Sequence, residues 1–351
     1  MTRRSATLAV AGALLVALVA VAALFPVPYV VFSPGPIEDV LGEVEGTPVV
    51  SVEGAETFPT DGVLDLTTVG VTSADRELDL LSAFRAWADP DRAVLPRRLV
   101  YPEGTTSEQS REINAALLDR SEESAKVAAL RKAGAEVPER PVVEAVMNGS
   151  PAEGVLEPGD LILAVDDVDV AEPDEVSAAV QDRAPGDPVE LTLLRDGEER
   201  TETVVTAPAP EDPQLPVVGI QVGTGYDLPV QVDIAIDERI GGPSAGLVFA
   251  LAIYDKLTPG PLLGGRHVAG TGEITSDGEV GSIGGIQQKI AAAGEEGADV
   301  FLAPADNCED VVGANARDMR VVPVATLDEA VSVVESVAAG DLDSLPSCPV
   351  A

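Results

Sequence analysis

The sequence predicts an α+β protein with a membrane-spanning helix at its start, on three observations. Residues Ala6–Phe25 run without a single charge, short strands punctuated by tight turns fill about 133–207, and apolar helices alternate with brief strands from Val230 onward. The chain has 351 residues, 45% of them apolar, which is enough to bury two or three modest cores. The expected divisions are 1–32, a cytoplasmic tip and transmembrane helix; 33–124, an N-terminal extracytoplasmic region; 125–208, a middle domain; and 209–351, a C-terminal domain.

The first element follows from hydropathy. Arg3 and Arg4 precede the uncharged run, which as a helix would span about 30 Å, the thickness of a bilayer core. Pro26 and Pro28 stop it, and Tyr29 and Phe32 fall where an interfacial belt sits. Basic residues before the run and acidic ones after it predict a single-pass protein of the cell membrane, N-terminus inside and bulk outside. The competing reading is a cleaved signal peptide, with Ala20-Val21-Ala22 as the cutting site.

Charge excludes several functions. There are 60 acidic against 22 basic residues, for a net charge of −38. Such a field repels phosphate backbones, so no nucleic-acid partner is expected. Two cysteines and one histidine give no zinc site, and no cofactor or metal is expected. Within 33–124, Gly62–Val71 alternates like a strand, while Leu78–Trp87 and Thr106–Arg131 have helical spacing. This region reads as a spacer, part of which could complete the C-terminal core and make the middle domain an insertion.

In the middle stretch, Val142–Val146 is a strand, Asn148–Ala152 a turn, and Glu157-Pro158-Gly159-Asp160 a turn into the strand Leu161–Val165. Glu175–Asp182 is helical, and Pro185-Gly186-Asp187 leads to a hairpin, Val189–Arg195 and Thr201–Val205, through Asp196-Gly197. The succession VVEAVMNGSPAEGVLEPGDLILAVDDVDV…APGDPVELTLLRDGEE resembles a bacterial PDZ domain, a partly open barrel with helices. The resemblance implies binding of extended peptides by strand addition. The edge strand would carry Val142, Val143 and Val146, with Glu175–Asp182 as the opposite wall and a carboxylate loop near Gly134–Val137. A PDZ fold serving only as a spacer is the bland alternative.

The C-terminal stretch concentrates the chemistry. Val230–Ile236 reads as a strand, Gly241-Gly242-Pro243 as a turn, and Ser244–Lys256 as a helix apolar nearly all round and therefore buried. Pro243 suits the first helical turn. A serine there lies among unpaired backbone N–H groups and the positive end of the helix dipole, which can hold an oxyanion. By itself it is more often a plain N-cap. A nucleophilic serine needs a base. His267, the only histidine, lies 23 residues on, too near for a G-x-S-x-G triad, and reads as a surface loop residue. Of the four lysines, Lys256 ends a helix and Lys126 and Lys132 lie in polar sequence, whereas Lys289 has Ile286, Ile290 and Ala291–Ala293 around it. Burial would have to lower its pKa by about 3 units.

PSAG, then TGEIT, then G-x-V-x-x-I-G-G-I-x-x-K-I-x-A-A resembles the proteolytic domain of the Lon family over about 215–335. The resemblance implies an α+β serine endopeptidase with a Ser-Lys dyad: Ser244 as nucleophile, Lys289 as base, Thr271 hydrogen-bonded to the lysine, and Gly242, Pro243 and Ala245 supporting the serine. One departure is Gly241, where the family usually carries an acid; either Asp237 or Glu238 substitutes for it, or the site is wired differently. Another is that no Gly-Lys pair of a phosphate-binding loop occurs. The combination is similar to ATP-independent, membrane-anchored PDZ–Lon proteins. It implies unfolded or partly cleaved protein substrates, peptides in the PDZ groove, and a possible homo-oligomer. A non-catalytic adaptor or scaffold at the membrane is the alternative. Cys308 and Cys348, outside the membrane by this topology, are expected to form a disulfide that adds roughly 3–4 kcal/mol by closing its loop.

Overall fold

A computed structural model describes residues 3–349 except Glu45, Asp196 and Glu238, with the side chains of Arg3, Ser5, Ala6 and Ala23 also left aside. In chain order the main elements begin with helix α1 (Arg3–Leu24), strands β1 (Tyr29–Asp39) and β2 (Val63–Val71), helix α2 (Leu80–Trp87), strand β3 (Ala93–Pro96) and helix α3 (Ser107–Lys132). Then come β4 (Glu139–Val146), β5 (Leu161–Val165), helix α4 (Pro173–Gln181), β6 (Pro188–Arg195), β7 (Glu198–Val205) and β8 (Ile220–Tyr226). The chain closes with α5 (Gly246–Leu257), β9 (His267–Gly270), α6 (Ile286–Glu296), β10 (Val300–Pro304), β11 (Arg320–Val324) and α7 (Leu327–Ala338).

Two compact units result. One is made of residues 1–134 and 230–351, the other of 135–229. The expected boundaries at 124/125 and 208/209 therefore differ from those of the structure. The first shifts because α3 packs along α5 and donates Leu118, Ala125, Ala128 and Ala129 to the same core. The second shifts because β8 pairs antiparallel with β4 along its whole length. Residues 33–124 are not a spacer but follow the other expectation: β1, β2 and β3 are half of the first unit's sheet, and the second unit is an insertion in the first.

That sheet has the order β11-β10-β9-β2-β1-β3. β11, β10, β9 and β2 run parallel, and β1 and β3 are antiparallel additions. Its two faces follow strand alternation. Val268, Val300, Leu302, Val322 and Leu64 point to a core shared with α3, α5 and α7. Ala269, Phe301, Ala303 and Val321 point the other way, to α6. Helix α5 is buried nearly throughout, as its all-round apolar sequence demands. Cys308 and Cys348 are joined as a disulfide, with Cα atoms 5.2 Å apart.

The second unit is a sheet of order β7-β6-β5-β4-β8 with α4 packed beside it. Its Pro-Gly-Asp turn has a clear physical role. Asp160 is buried, accepts from Glu157 N at 2.8 Å, and takes a two-pronged bond from Arg195 at 2.5 and 2.6 Å. The buried carboxylate is thereby paired and its turn fixed.

Helix α1 covers 22 residues. Among the described residues, no helix is long and apolar enough to cross a membrane.

Candidate active site

Parallel strand order creates the site. Strand β9 ends at Gly270, and the chain then passes through Thr271, fully buried, as Thr271 N donates to Leu302 O at 3.2 Å. Helices from the two faces of the sheet begin at this end: α5 presents Ser244 and α6 presents Lys289. The carboxyl ends of parallel strands are where α/β sheets leave open backbone groups and a crevice.

Ser244 lies in a 3₁₀ turn, Pro243–Ala245, directly before α5. Gly242 adopts φ 93°, a left-handed conformation that a side chain would strain. Its N–H donates to Asn114 O at 2.8 Å, and Ser121 Oγ donates to Pro243 O at 2.8 Å. Both partners belong to α3. Ala245 and Gly246 behind the serine are buried, and a Cβ on Gly246 would lie 2.7 Å from Ile274 Cγ2 and from Ser121 Oγ. The small residues of the turn are what let α3 and the Thr271–Ile274 segment close on it.

Lys289 is 1% exposed. It sits in the first turn of α6, whose start is set by Gly285 in a left-handed conformation. Lys289 Nζ donates to Ser244 Oγ at 2.7 Å and to Thr271 Oγ1 at 2.8 Å, and Thr271 Oγ1 donates to Ser244 O at 2.9 Å. Burial pushes the lysine from an ordinary 10.5 down to about 7, opposed weakly by the carboxylate of Glu273. Near neutral pH a substantial fraction of the amine is therefore uncharged. One N–H then goes to Thr271, whose own proton is committed to the Ser244 carbonyl, and the nitrogen lone pair is left for the serine hydroxyl.

The structure brings Ser244, Lys289 and Thr271 into one hydrogen-bonded cluster, supported by Gly242, Pro243 and Ala245. Other expected residues lie elsewhere. His267 is not on a surface loop: it opens β9, and its Nε2 lies 2.5 Å from Oδ2 of buried Asp65 on β2. Asp237 is not the substitute acid, because Arg239 engages it through both oxygens; Glu238 lies outside the described residues. At Gly241, a Cβ would sit 3.0 Å from Asn114 Cβ, so α3 occupies the space an acidic side chain would need. Asn114 and Ser121 escape sequence reasoning because they sit in polar helical sequence, about 120 residues before the serine they support. Among the described residues, no group of three or more His, Cys, Asp or Glu could hold a metal ion.

The groove of the second unit also differs from expectation. Val142, Val143 and Val146 lie on β4, which has β5 on one side and β8 on the other. An interior strand cannot accept another. Among the described residues the edge strand beside α4 is β8, and the stretch leading into it is Pro216–Gly219 rather than Gly134–Val137. Gly219, at φ 81°, would carry a Cβ 2.2 Å from Ser150 Cβ, so only glycine fits there. Its turn signal, Val-Val-Gly before alternating Ile220–Tyr226, was present in the sequence but lay beyond the expected domain end.

Residues 235–336 match the Lon protease (S16) C-terminal proteolytic domain. Ser244, Thr271 and Lys289 all fall within this serine-peptidase domain, and residues 113–206 match a PDZ domain. Lon protease of Xanthomonas oryzae pv. oryzae is 41% identical over 91 residues, 25% of this chain and 10% of that protein. Lon protease of Vibrio parahaemolyticus is 40% identical over 95 residues, 26% of this chain and 12% of that protein. The chain thus spans roughly a tenth of the length of these curated relatives. The PDZ domain of the SdrC-like protein of Listeria monocytogenes is 21% identical, covering 24% of this chain and 86% of that one, at a TM-score of 0.22.

Proposed function

We propose that the chain is a membrane-anchored, ATP-independent serine endopeptidase working through a Ser244–Lys289 dyad, with its PDZ domain holding or gating peptide substrates. The observation that carries this reading is the buried Lys289 amine, 2.7 Å from the serine oxygen and held near a neutral pKa. In the reaction, Ser244 Oγ attacks the scissile carbonyl carbon while Lys289 Nζ takes the hydroxyl proton. The carbonyl oxygen becomes an oxyanion at the amino end of α5, where the helix dipole favours negative charge. The Lys289 ammonium returns its proton to the leaving amine. Water, deprotonated by the same amine, then hydrolyses the acyl-enzyme. Thr271 keeps the amine aimed at the serine throughout.

Support for the anchor comes from α1, in which Leu8, Leu14, Leu15, Leu18 and Val21 are exposed to their surroundings. Beyond Arg3 and Arg4 this helix carries no charge, and a helical segment apolar all round is unstable in water and stable in lipid. A proteolytic site without a nucleotide-driven unfolding step acts on chains that are already extended, so the substrates are unfolded or partly cleaved proteins. Those segments dock as an added strand against β8.

Casein cleavage by the detergent-solubilised full chain tests the dyad. Ser244→Ala and Lys289→Ala should abolish it alike, whereas His267→Ala should retain cleavage. Full activity in Lys289→Ala would overturn the assignment.

A further inference from the structure

Where α1 ends, an apolar face unconnected with the peptidase site opens to the outside. Helix α2 buries Ala83 and Ala86 against its own unit and turns Leu80, Phe84 and Trp87 outward. Those three are spaced i, i+4 and i+7, one stripe of a helix. Phe84 is 60% exposed and Trp87 71%, and their rings are 5.9 Å apart, so a large aromatic pair faces outward. Leu99, 70% exposed, joins them from the turn after β3.

The backbone ties this face to the end of the anchor. Leu80 N donates to Phe25 O at 3.1 Å, Arg97 N donates to Pro28 O at 3.0 Å, and α1 packs against α2. Both halves of the face therefore hang from residues 25–28, directly beyond Leu24. Charge changes sign here too. Between Arg76 and Arg98 there are five arginines and four acidic residues, in a chain whose net charge is −38. Two of those acids are already engaged, Asp79 as the cap of α2 and Asp89 with Arg92. Arg85 and Arg98, next to Phe84 and Leu99 in sequence, are exposed.

We propose that α2 and the Arg97–Leu99 turn form a second membrane contact, lying flat in the headgroup region of an anionic phospholipid bilayer beside the anchor. The proposal rests on the anchor reading of α1. An aromatic-and-leucine stripe flanked by arginine is the chemistry of an interfacial helix: its rings sink ~5–10 Å into the acyl boundary while guanidinium groups stay at the phosphates. The rest of the chain, strongly acidic, would be repelled from the same surface. The contact thus fixes the orientation of the first unit, with α2 toward the lipid.

Trp87 is the only tryptophan of the chain, so its fluorescence reports this face alone. The full chain is reconstituted in phosphatidylcholine–phosphatidylglycerol vesicles, floated on a density gradient, and read with lipids brominated at shallow acyl positions and with aqueous iodide. The expected result is a blue-shifted emission, quenched by the brominated lipid and shielded from iodide. Leu80→Asn with Phe84→Asn should return Trp87 to water while the protein still floats. Arg85→Glu with Arg98→Glu should weaken the lipid quenching; unaltered quenching in that variant would overturn the anionic preference. Floated protein whose tryptophan stays red-shifted and iodide-quenched would overturn the second contact and leave the anchor standing. Shielding from iodide without quenching by brominated lipid would also overturn it, in favour of a second protein chain. Protein that fails to float overturns both.

Discussion

Replacing Lys289 by methionine should stabilise the fold in a way that depends on pH with a predictable slope. Methionine approximates the lysine stem and carries no proton. Burial takes the lysine from 10.5 to about 7, a gap of three to four units, each worth about 1.4 kcal/mol. Below pH 7 the lysine is charged in both folded and unfolded chains, and the folded state bears the full cost of about 5 kcal/mol. Between pH 7 and 10.5 the unfolded chain binds a proton that the folded chain lacks, so stability climbs with pH at up to about 1.4 kcal/mol per unit. Above 10.5 the cost is gone. Methionine removes it at every pH but leaves Thr271 and the serine without their nitrogen partner, a loss of about 1–2 kcal/mol. The net expectation at pH 7 is a gain of about 2–4 kcal/mol that disappears toward pH 10. The measurement is urea unfolding of the full chain in detergent at pH 6, 8 and 10. Ser244→Ala is compared with Ser244→Ala/Lys289→Met, so that neither protein digests itself. Parallel stability curves for the two would mean that the amine is not buried and uncharged, and the account of the base would fail with them.

Further expectations follow from the same geometry. Cleavage should rise with pH through about 7 and then level, as the amine loses its proton; a rate that falls over that range would contradict a lysine base. Thr271→Val removes one bond to the amine and should slow cleavage by roughly 10–100-fold with KM little changed, whereas Thr271→Ser should recover most of it. Reducing the Cys308–Cys348 bridge, or Cys308→Ser with Cys348→Ser, frees a loop of 40 residues and should cost about 3–4 kcal/mol in unfolding experiments. Asp255 is buried, accepts from Leu262 N at 2.8 Å, and is pushed by burial from 3.8 up to about 6. Asp255→Asn should therefore stabilise the protein by about 1–3 kcal/mol above pH 6 and make little difference below pH 4, measured by thermal unfolding. Peptide binding to the second unit should slow amide exchange in β8 and leave β4, whose strand is already paired on both sides, unchanged.

Two residues of the proposed site were legible because they carried local signals. Gly-Gly-Pro before an apolar helix placed Ser244, and scarcity of lysine together with apolar neighbours singled out Lys289; Thr271 was marked only by the resemblance to the Lon family. What stayed hidden involved partners distant along the chain. Asn114 and Ser121 grip the serine turn from α3, whose sequence is polar and carries no mark of that contact. His267 gave no hint of Asp65, about 200 residues away and its neighbour only because β2 and β9 pair in parallel. The groove strand was misplaced for the same reason: β8 follows the expected domain in sequence but sits beside β4 in the sheet.

Sequence by itself determined which elements exist, because alternation, helical spacing and turn residues act over a few neighbours. It also determined the chemistry on offer, one serine after a Gly-Gly-Pro turn and one lysine among apolar side chains. Only the tertiary structure decided that residues 1–134 and 230–351 make one unit, that α5 and α6 start at the same end of β9 from opposite faces, and that the amine reaches the hydroxyl. Those outcomes depend on the order of strands in a sheet, which is set by the packing of whole elements and leaves no periodic trace along the chain.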